Sequence, residues 1–200
     1  MAAKTRIGVL ALQGDFEAHE RALERAGAEA VQIRAAQDLD RVDGLIIPGG
    51  ESTTMLKLID RENLFEPLCR FGERKPIFGT CAGAILLARG VSNPEQRSLG
   101  LMDIDVQRNG YGRQLDSRIA SLQPDAASGL GAEEVEAVFI RAPIITRVGG
   151  DAHVLASYRD APVLVEQGRF LASTFHPELT ADGRIHRHFV SKVAAEAAVG

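Results

Sequence analysis

The stretch Pro76-Ile77-Phe78-Gly79-Thr80-Cys81-Ala82-Gly83 decides how this chain is read. The apolar strand Pro76-Ile77-Phe78 runs straight into a glycine-flanked cysteine, and Ala84 to Arg89 resumes as a helix. A sharp strand-to-helix turn lifts its central side chain clear of the backbone. Glycines two residues to either side are then required, because Cβ atoms there would collide with the neighbouring strand and helix. This is the form of a nucleophile elbow with Cys81 at its tip. The following helix amides suit a negatively charged nucleophile, and the Ala82 amide is placed to donate to an oxyanion formed when the thiolate attacks a carbonyl. A small buried cysteine in a glycine-rich turn is the plain alternative, so the rest of the chain has to decide.

Upstream, the same strand-loop-helix unit repeats. Ile7 to Leu12 is apolar without alternation, the pattern of a strand buried on both faces of a parallel sheet. From Asp15, Phe16, His19, Leu23 and Ala26 recur at helical spacing, and Gly27 stands where a helix needs a left-handed C-terminal residue. Ala30 to Ile33 and Gly44 to Ile47 read as further strands, Thr53 to Arg61 as a helix, and Leu64 to Phe71 as a helix ended by Gly72. Alternating strands and helices predict a doubly wound α/β sheet with helices on both faces. Downstream the texture changes. Ile104 to Val106, Val135 to Ile140, Val154 to Ser157, Pro162 to Glu166 and Phe170 to Thr174 are strand candidates with few helix-length gaps, which predicts antiparallel additions to the sheet. Ile185 to Ala198 closes the chain as an amphipathic helix with Ile185, Phe189, Val193 and Ala197 on one stripe.

Composition narrows the function. With 200 residues, 45% hydrophobic and 25% charged, residues 1–200 form one domain large enough to need no disulfide or structural metal. Against 27 Asp+Glu stand 23 Lys+Arg, scattered, so the net charge of -4 gives no footprint for nucleic acid or anionic lipid. No apolar window approaches the roughly 20 residues that span a bilayer, and the first apolar stretch is too short for a signal-peptide core. A cytoplasmic protein with Cys69 and Cys81 as free thiols is expected. Cys69, among Leu64, Phe65, Leu68 and Phe71 on a helical pattern, reads as packing.

Two further features carry chemistry. His176-Pro177-Glu178 follows the apolar strand Phe170 to Phe175. Residues two apart on an extended segment point the same way, so Glu178 can accept from one imidazole nitrogen of His176 and leave the other to exchange a proton with a thiol. Pro177 is read as holding that segment extended. The remaining histidines, His19, His153, His186 and His188, read as solvated or helix-face residues. Pro48-Gly49-Gly50-Glu51-Ser52-Thr53 ends a strand where open parallel sheets form their ligand crevice, and its glycine amides can turn toward a ligand oxygen. A phosphate loop is disfavoured because no Gly-Lys-Ser/Thr ending is present. The same loop also reads simply as a turn, with Ser52 or Thr53 as helix N-cap.

A Gly-Gly loop, an elbow cysteine and a downstream His-x-Glu together resemble the class I, triad-type glutamine amidotransferases. Six blocks narrow the resemblance: Leu12-Gln13-Gly14-Asp15, Pro48 to Met55, Phe78 to Gly83, Arg108-Asn109 with Gly112-Arg113-Gln114, Phe139 to Pro143 and Phe175 to Thr180. In this order they are similar to the glutaminase-subunit family of pyridoxal 5'-phosphate synthases. Gly110-Tyr111 and Ala84 depart from the family's usual Ser-Phe and Leu, which touches local packing rather than chemistry.

The resemblance implies a three-layer α/β fold of the amidotransferase (flavodoxin-like) kind, with a mixed, mostly parallel sheet flanked by helices. It implies Cys81 as nucleophile, His176 as acid/base and Glu178 as its orienter, and an oxyanion hole from the Gly49, Gly50 and Ala82 region. L-Glutamine contacts would fall on Gly50, Glu51, Ser52, Arg108, Ile140 and Arg141. No metal or cofactor is implied. The partner would be a separate (β/α)8-barrel synthase subunit in a large heteromer, receiving ammonia through a tunnel, with hydrolysis weak until the two dock. Two rivals remain: the glutaminase of another pair, such as imidazole glycerol phosphate synthase, and a redox-sensing elbow-cysteine module. The block sequences speak against the first. Against the second, Ala82 stands where a sensor would be expected to place a histidine.

Overall fold

The computed structural model describes residues 4–109 and 117–199. Its centre is a seven-stranded sheet, built from β1 (Arg6–Leu10), β2 (Glu29–Ile33), β3 (Gly44–Ile47), β4 (Ile77–Thr80), β10 (His153–Tyr158), β11 (Ala161–Gln167) and β12 (Phe170–Ser173), in the order β10-β11-β12-β4-β3-β1-β2. From β12 to β2 all neighbours are parallel, while β10, β11 and β12 pair antiparallel. The mixed sheet therefore matches the expectation of a parallel half extended by antiparallel strands.

Both faces are buried, as the unbroken apolar runs predicted. On β3, Leu45 and Ile47 pack into one core with Met55 and Ile59 of α2 (Ser52–Arg61) and Leu68 of α3 (Phe65–Gly72). Ile46 faces the other core, with Leu23 of α1 (Phe16–Arg25) and Ile185, Phe189 and Val193 of α5 (Arg184–Val199). Period-two alternation on a strand covered by helices on both sides gives the three-layer architecture. Phe78, Phe175 and Phe189 are wholly buried, each contributing about 2 kcal/mol of apolar transfer. Gly27 takes the left-handed conformation expected after α1, with φ +89°.

Several expectations need correction. The helix after the elbow, α4 (Ala82–Leu87), starts and stops two residues early, and the chain turns at once into β5 (Ala88–Ser92). Leu99 N donates to Leu86 O at 2.7 Å, taking up a carbonyl at the helix end, and Ala88 is already extended. Not every downstream strand joins the main sheet. β5, β6 (Met102–Gln107) and β9 (Ile144–Val148) form a separate three-stranded sheet, and β7 (Ser117–Leu122) pairs with β8 (Val135–Ile140) as an antiparallel ribbon. Gly72 lies inside α3, whose cap is Glu73. Ala197 is exposed, so the buried stripe of α5 ends at Val193. The Gly110-Tyr111 and Gly112-Arg113-Gln114 blocks lie outside the described residues. No helix among the described residues is long and apolar enough to cross a membrane.

β1 pairs with β2 on one side and β3 on the other, so the chain reverses its direction of travel across the sheet there. The loops after β1, β3, β4 and β12 all open at the carboxyl ends of parallel strands, where such sheets place their ligands. These loops carry Gln13, Gly49 to Glu51, Cys81 and His176.

Candidate active site

Cys81 has φ +50° and ψ −104°, a backbone conformation that a residue with a Cβ rarely adopts and that costs about 1–3 kcal/mol. Its surroundings hold it there. Cys81 N donates to Ser173 O of β12 at 2.8 Å, and Cys81 O accepts from Ile85 N at 3.3 Å. A Cβ on Gly83 would stand 2.1 Å from Ile47 O, and one on Gly79 would stand 2.4 Å from Gly83 O. The elbow glycines are therefore needed for the close approach of α4 to β3 and β4, the physical reason expected of them.

His176 is pinned by its own backbone, whose N–H donates to Val138 O of β8 at 2.8 Å. Its Nδ1 lies 2.7 Å from Glu178 Oε1, and its side chain lines the same cleft as Cys81. A Cβ on Gly49 would stand 2.5 Å from His176 Cε1 and 3.3 Å from Cys81 Cβ, so the Gly-Gly loop packs directly on this pair. The means by which Glu178 reaches His176 differs from expectation. Residues Pro177–Leu179 form a 3-10 turn with Pro177 at its start, not an extended segment, and the carboxylate swings back from the first turn.

Charge follows geometry. Burial works against the imidazolium of His176, but hydrogen bonds to Cys81 and Glu178 and their charges outweigh it and push its pKa up to about 10. For Glu178, burial raises the carboxyl, and the neighbouring His19 and His176 more than offset this and hold it below its usual range. Cys69 is a half-buried free thiol on α3, pushed up by burial and by Glu66 and Glu73, consistent with a packing role.

Two of the histidines read as solvated or helix-face residues, His19 and His186, do lie on helices but are wholly buried. His19 of α1 places Nε2 3.4 Å from Glu178 Oε2 and 3.1 Å from Thr80 Oγ1, while its Nδ1 is 3.0 Å from His186 Nε2 of α5. The signal was present in the sequence, since His19 sits on the same helical stripe as Phe16 and Leu23. His153 is exposed and His188 half-buried, bonded to Glu166 at 2.6 Å.

A cleft of about 210 Å³ opens over Cys81 and His176, lined by Gly50, Glu51, Ser52, Ile85, Arg108, Asn109, Ile140 and Arg141. Every residue expected to contact glutamine borders this space. Ile140 O lies 4.0 Å from Cys81 Sγ. Arg108 is held over the loop by Thr53 Oγ1 at 2.7 Å and Glu51 Oε1 at 3.4 Å. Arg141 is exposed at the end of β8 with φ +44° and has no ion-pair partner among the described residues. The N-cap of α2 is Glu51, not Ser52 or Thr53. Its carboxylate accepts from Thr53 N at 2.9 Å and Thr54 N at 2.8 Å, and these bonds outweigh its slight burial and push its pKa down to about 2. Ser52 Oγ instead donates to Gln96 Oε1 at 2.9 Å. Gln13, with its amide oriented by the partners it faces, accepts from Glu51 N at 2.7 Å and donates to Glu51 O at 3.1 Å, fastening the loop to the end of β1. Gln13 and Gln96 were not singled out from sequence as site residues, because a lone glutamine carries no spacing signal.

The site can therefore present a thiol to a small ligand that carries charged groups, with an imidazole and a buried carboxylate beside the thiol. Comparison with known proteins agrees with that chemistry. The protein is 60% identical over 190 residues to pyridoxal 5'-phosphate synthase subunit PdxT of Solibacter usitatus (strain Ellin6076), covering 94% of this chain and 99% of that one. It is 52% identical over 188 residues to the subunit of the same name from Koribacter versatilis (strain Ellin345), covering 94% and 95%. A crystal structure of a glutamine amidotransferase superposes with TM-score 0.87 at 46% identity, over 94% of this chain and 98% of the other. Residues 9–195 match the family model of the SNO glutamine amidotransferases, and the chain belongs to that family.

Proposed function

We propose that this protein is the glutaminase subunit of a pyridoxal 5'-phosphate synthase, hydrolysing L-glutamine with Cys81, His176 and Glu178 and passing the ammonia to a (β/α)8-barrel synthase subunit. One observation carries the reading: the strained elbow cysteine shares a cleft, bordered by two guanidinium groups, with a histidine whose Nδ1 is taken by a buried carboxylate at 2.7 Å. The names borne by its relatives support the acceptor pathway.

The Cys81 thiolate attacks the side-chain carboxamide carbon of glutamine, and the carbonyl electron pair moves onto oxygen. Amides of the Gly49-Gly50 loop and Ala82 hold that oxyanion. The His176 imidazolium gives its proton to the amide nitrogen as the C–N bond breaks, and ammonia leaves with the bonding pair. Neutral His176 then takes a proton from water as its oxygen attacks the γ-glutamyl thioester. That transfer restores the imidazolium, and collapse expels the Cys81 thiolate and releases glutamate, whose new γ-carboxyl proton passes to solvent. Arg108 and Arg141 meet the substrate carboxylate, and the Ile140 carbonyl and the Gly50, Glu51 and Ser52 segment position the rest. The chain supplies nucleophile, acid and base, so no step calls on a metal or organic cofactor; pyridoxal 5'-phosphate is a product of the complex. A cytoplasmic setting suits a catalytic thiol, which must stay reduced.

Docking is proposed to raise activity by bringing the Gly-Gly loop to its oxyanion-binding form. The test is glutamate release from glutamine by the purified protein, alone and with the synthase subunit from the same source. Activity that appears or rises strongly with the partner is expected. Full turnover alone, unchanged by the partner, would overturn the docking dependence. No glutamate in either condition, with binding demonstrated, would make the triad assignment wrong.

A further inference from the structure

Behind Glu178 the polar line continues into the interior. Glu178 Oε1 takes His176 Nδ1, and Oε2 is buried with no hydrogen-bond partner among the described residues. The ring nitrogen facing Oε2 is His19 Nε2, at 3.4 Å, a length at which catalytic hydrogen bonds often stand before substrate binds. The same nitrogen is 3.1 Å from Thr80 Oγ1, on the residue before the nucleophile. His19 Nδ1 is 3.0 Å from His186 Nε2, and His186 Nδ1 is buried without a partner.

These contacts select one tautomer. Were the proton on His19 Nδ1, the bare Nε2 lone pair would face a carboxylate, and His186 would bury an N–H with no acceptor. With the proton on His19 Nε2, it has two acceptors within reach, Thr80 Oγ1 at 3.1 Å and Glu178 Oε2 at 3.4 Å. His186 then donates to His19 Nδ1, and only an unused lone pair is left buried on His186, the cheaper orphan.

We propose that His19 is a positioning residue for the glutaminase reaction, donating from Nε2 to Glu178 Oε2 in its neutral form, with His186 fixing that form through His19 Nδ1. The inference rests on the Cys81, His176 and Glu178 reading and adds the group that holds the far oxygen of the orienting carboxylate. Burial keeps His19 neutral against the pull of Glu178 and Asp15, with His176 adding to the effect of burial. Burial keeps His186 neutral too, aided by His19 and Arg25 and opposed by Glu178. A neutral N–H donor fits the task, since it favours the ionised carboxylate without adding a cation to compete with the imidazolium of His176.

Two substitutions separate positioning from packing. His19→Met keeps an apolar side chain of similar length but no donor; His19→Gln keeps an N–H near the Nε2 position. Assayed as the complex with the synthase subunit, His19→Met should lower kcat for glutamate release about tenfold, leave KM unchanged and move the acid limb of the kcat profile to higher pH. His19→Gln should retain most of kcat and the wild-type limb. Equal losses in both variants, or a wild-type kcat and pH profile in His19→Met, would overturn the proposal. Should His19→Met fail to fold, nitrogen-15 spectra of the wild-type histidines at neutral pH decide: an Nε2–H tautomer for His19 is expected, and an Nδ1–H tautomer or an imidazolium overturns it. Cys81→Ala runs in parallel. Retained turnover there overturns the triad reading and this inference with it, whereas lost turnover beside a normal His19→Met overturns this inference alone.

Discussion

His176 Nδ1 and Glu178 Oε1 lie 2.7 Å apart across a single proline, with the Glu178 side chain 1% exposed. So buried a carboxylate is tolerated only because charge and hydrogen bonding meet it, and in the proposed reaction it supplies His176 with orientation and a countercharge. Glu178→Gln keeps the shape and removes the charge. We expect kcat for glutamate release to fall about ten- to a hundredfold, the size of one hydrogen bond to a charged group, with KM little changed. Steady-state kinetics of the variant in complex with its synthase subunit measure this.

The two partners respond oppositely to pH. Glu178 is held below its ordinary value of 4.5, so it stabilises the folded state above that pH and loses this contribution as pH falls. His176 is raised from 6.5 to about 10, so its contribution is complete below pH 6.5 and is lost as pH rises through about 10. Thermal unfolding should show the gap between wild type and Glu178→Gln narrowing on acidification below pH 4.5. The gap between wild type and His176→Phe should narrow on the alkaline side.

The elbow has no room for a methyl group. Gly83→Ala would set a Cβ 2.1 Å from the backbone oxygen of Ile47, and we expect about 3 kcal/mol of destabilisation, a loss of about 6–12 °C in Tm for a chain of this size. Gly150→Ala, with nothing within 4 Å of its Cβ, is the control and should change Tm little.

Arg108 is the better anchored of the two guanidinium groups at the cleft, held by Thr53 and Glu51. Arg108→Ala should raise KM for glutamine at least tenfold, the loss of one charge-assisted contact, with a smaller effect on kcat. A matched loss in kcat and no change in KM would move Arg108 from substrate binding to support of the loop.

Much of this architecture was legible because its causes are local. Ile7 to Leu12 and Gly44 to Ile47 are unbroken apolar runs, and a strand covered on both faces needs that. Gly79-x-Cys81-x-Gly83 and Gly49-Gly50 are legible because close backbone approach excludes Cβ atoms wherever it occurs. What escaped depends on neighbours distant in sequence. Ser117 to Leu122 alternates weakly, with only Leu122 buried, because it pairs in a two-stranded ribbon off the main sheet. Ala88 to Ser92 contains Arg89 and Gly90, which conceal a strand that pairs with β6. Pro177 misled because a fixed φ suits the first residue of a helical turn as well as an extended segment. His19 was on the inward stripe of α1, yet its partners Thr80, Glu178 and His186 come from three other elements, and only the fold brings them together.

The central claim is that Cys81 carries the γ-glutamyl group, and trapping that thioester tests it most directly. The complex with the synthase subunit would be mixed with glutamine, quenched in acid during steady turnover and mapped by peptide mass spectrometry. The account predicts a γ-glutamyl adduct on the Cys81 peptide, absent in Cys81→Ala and lost when turnover is allowed to run to completion. Turnover with no adduct at Cys81, or an adduct on Cys69 instead, would contradict it.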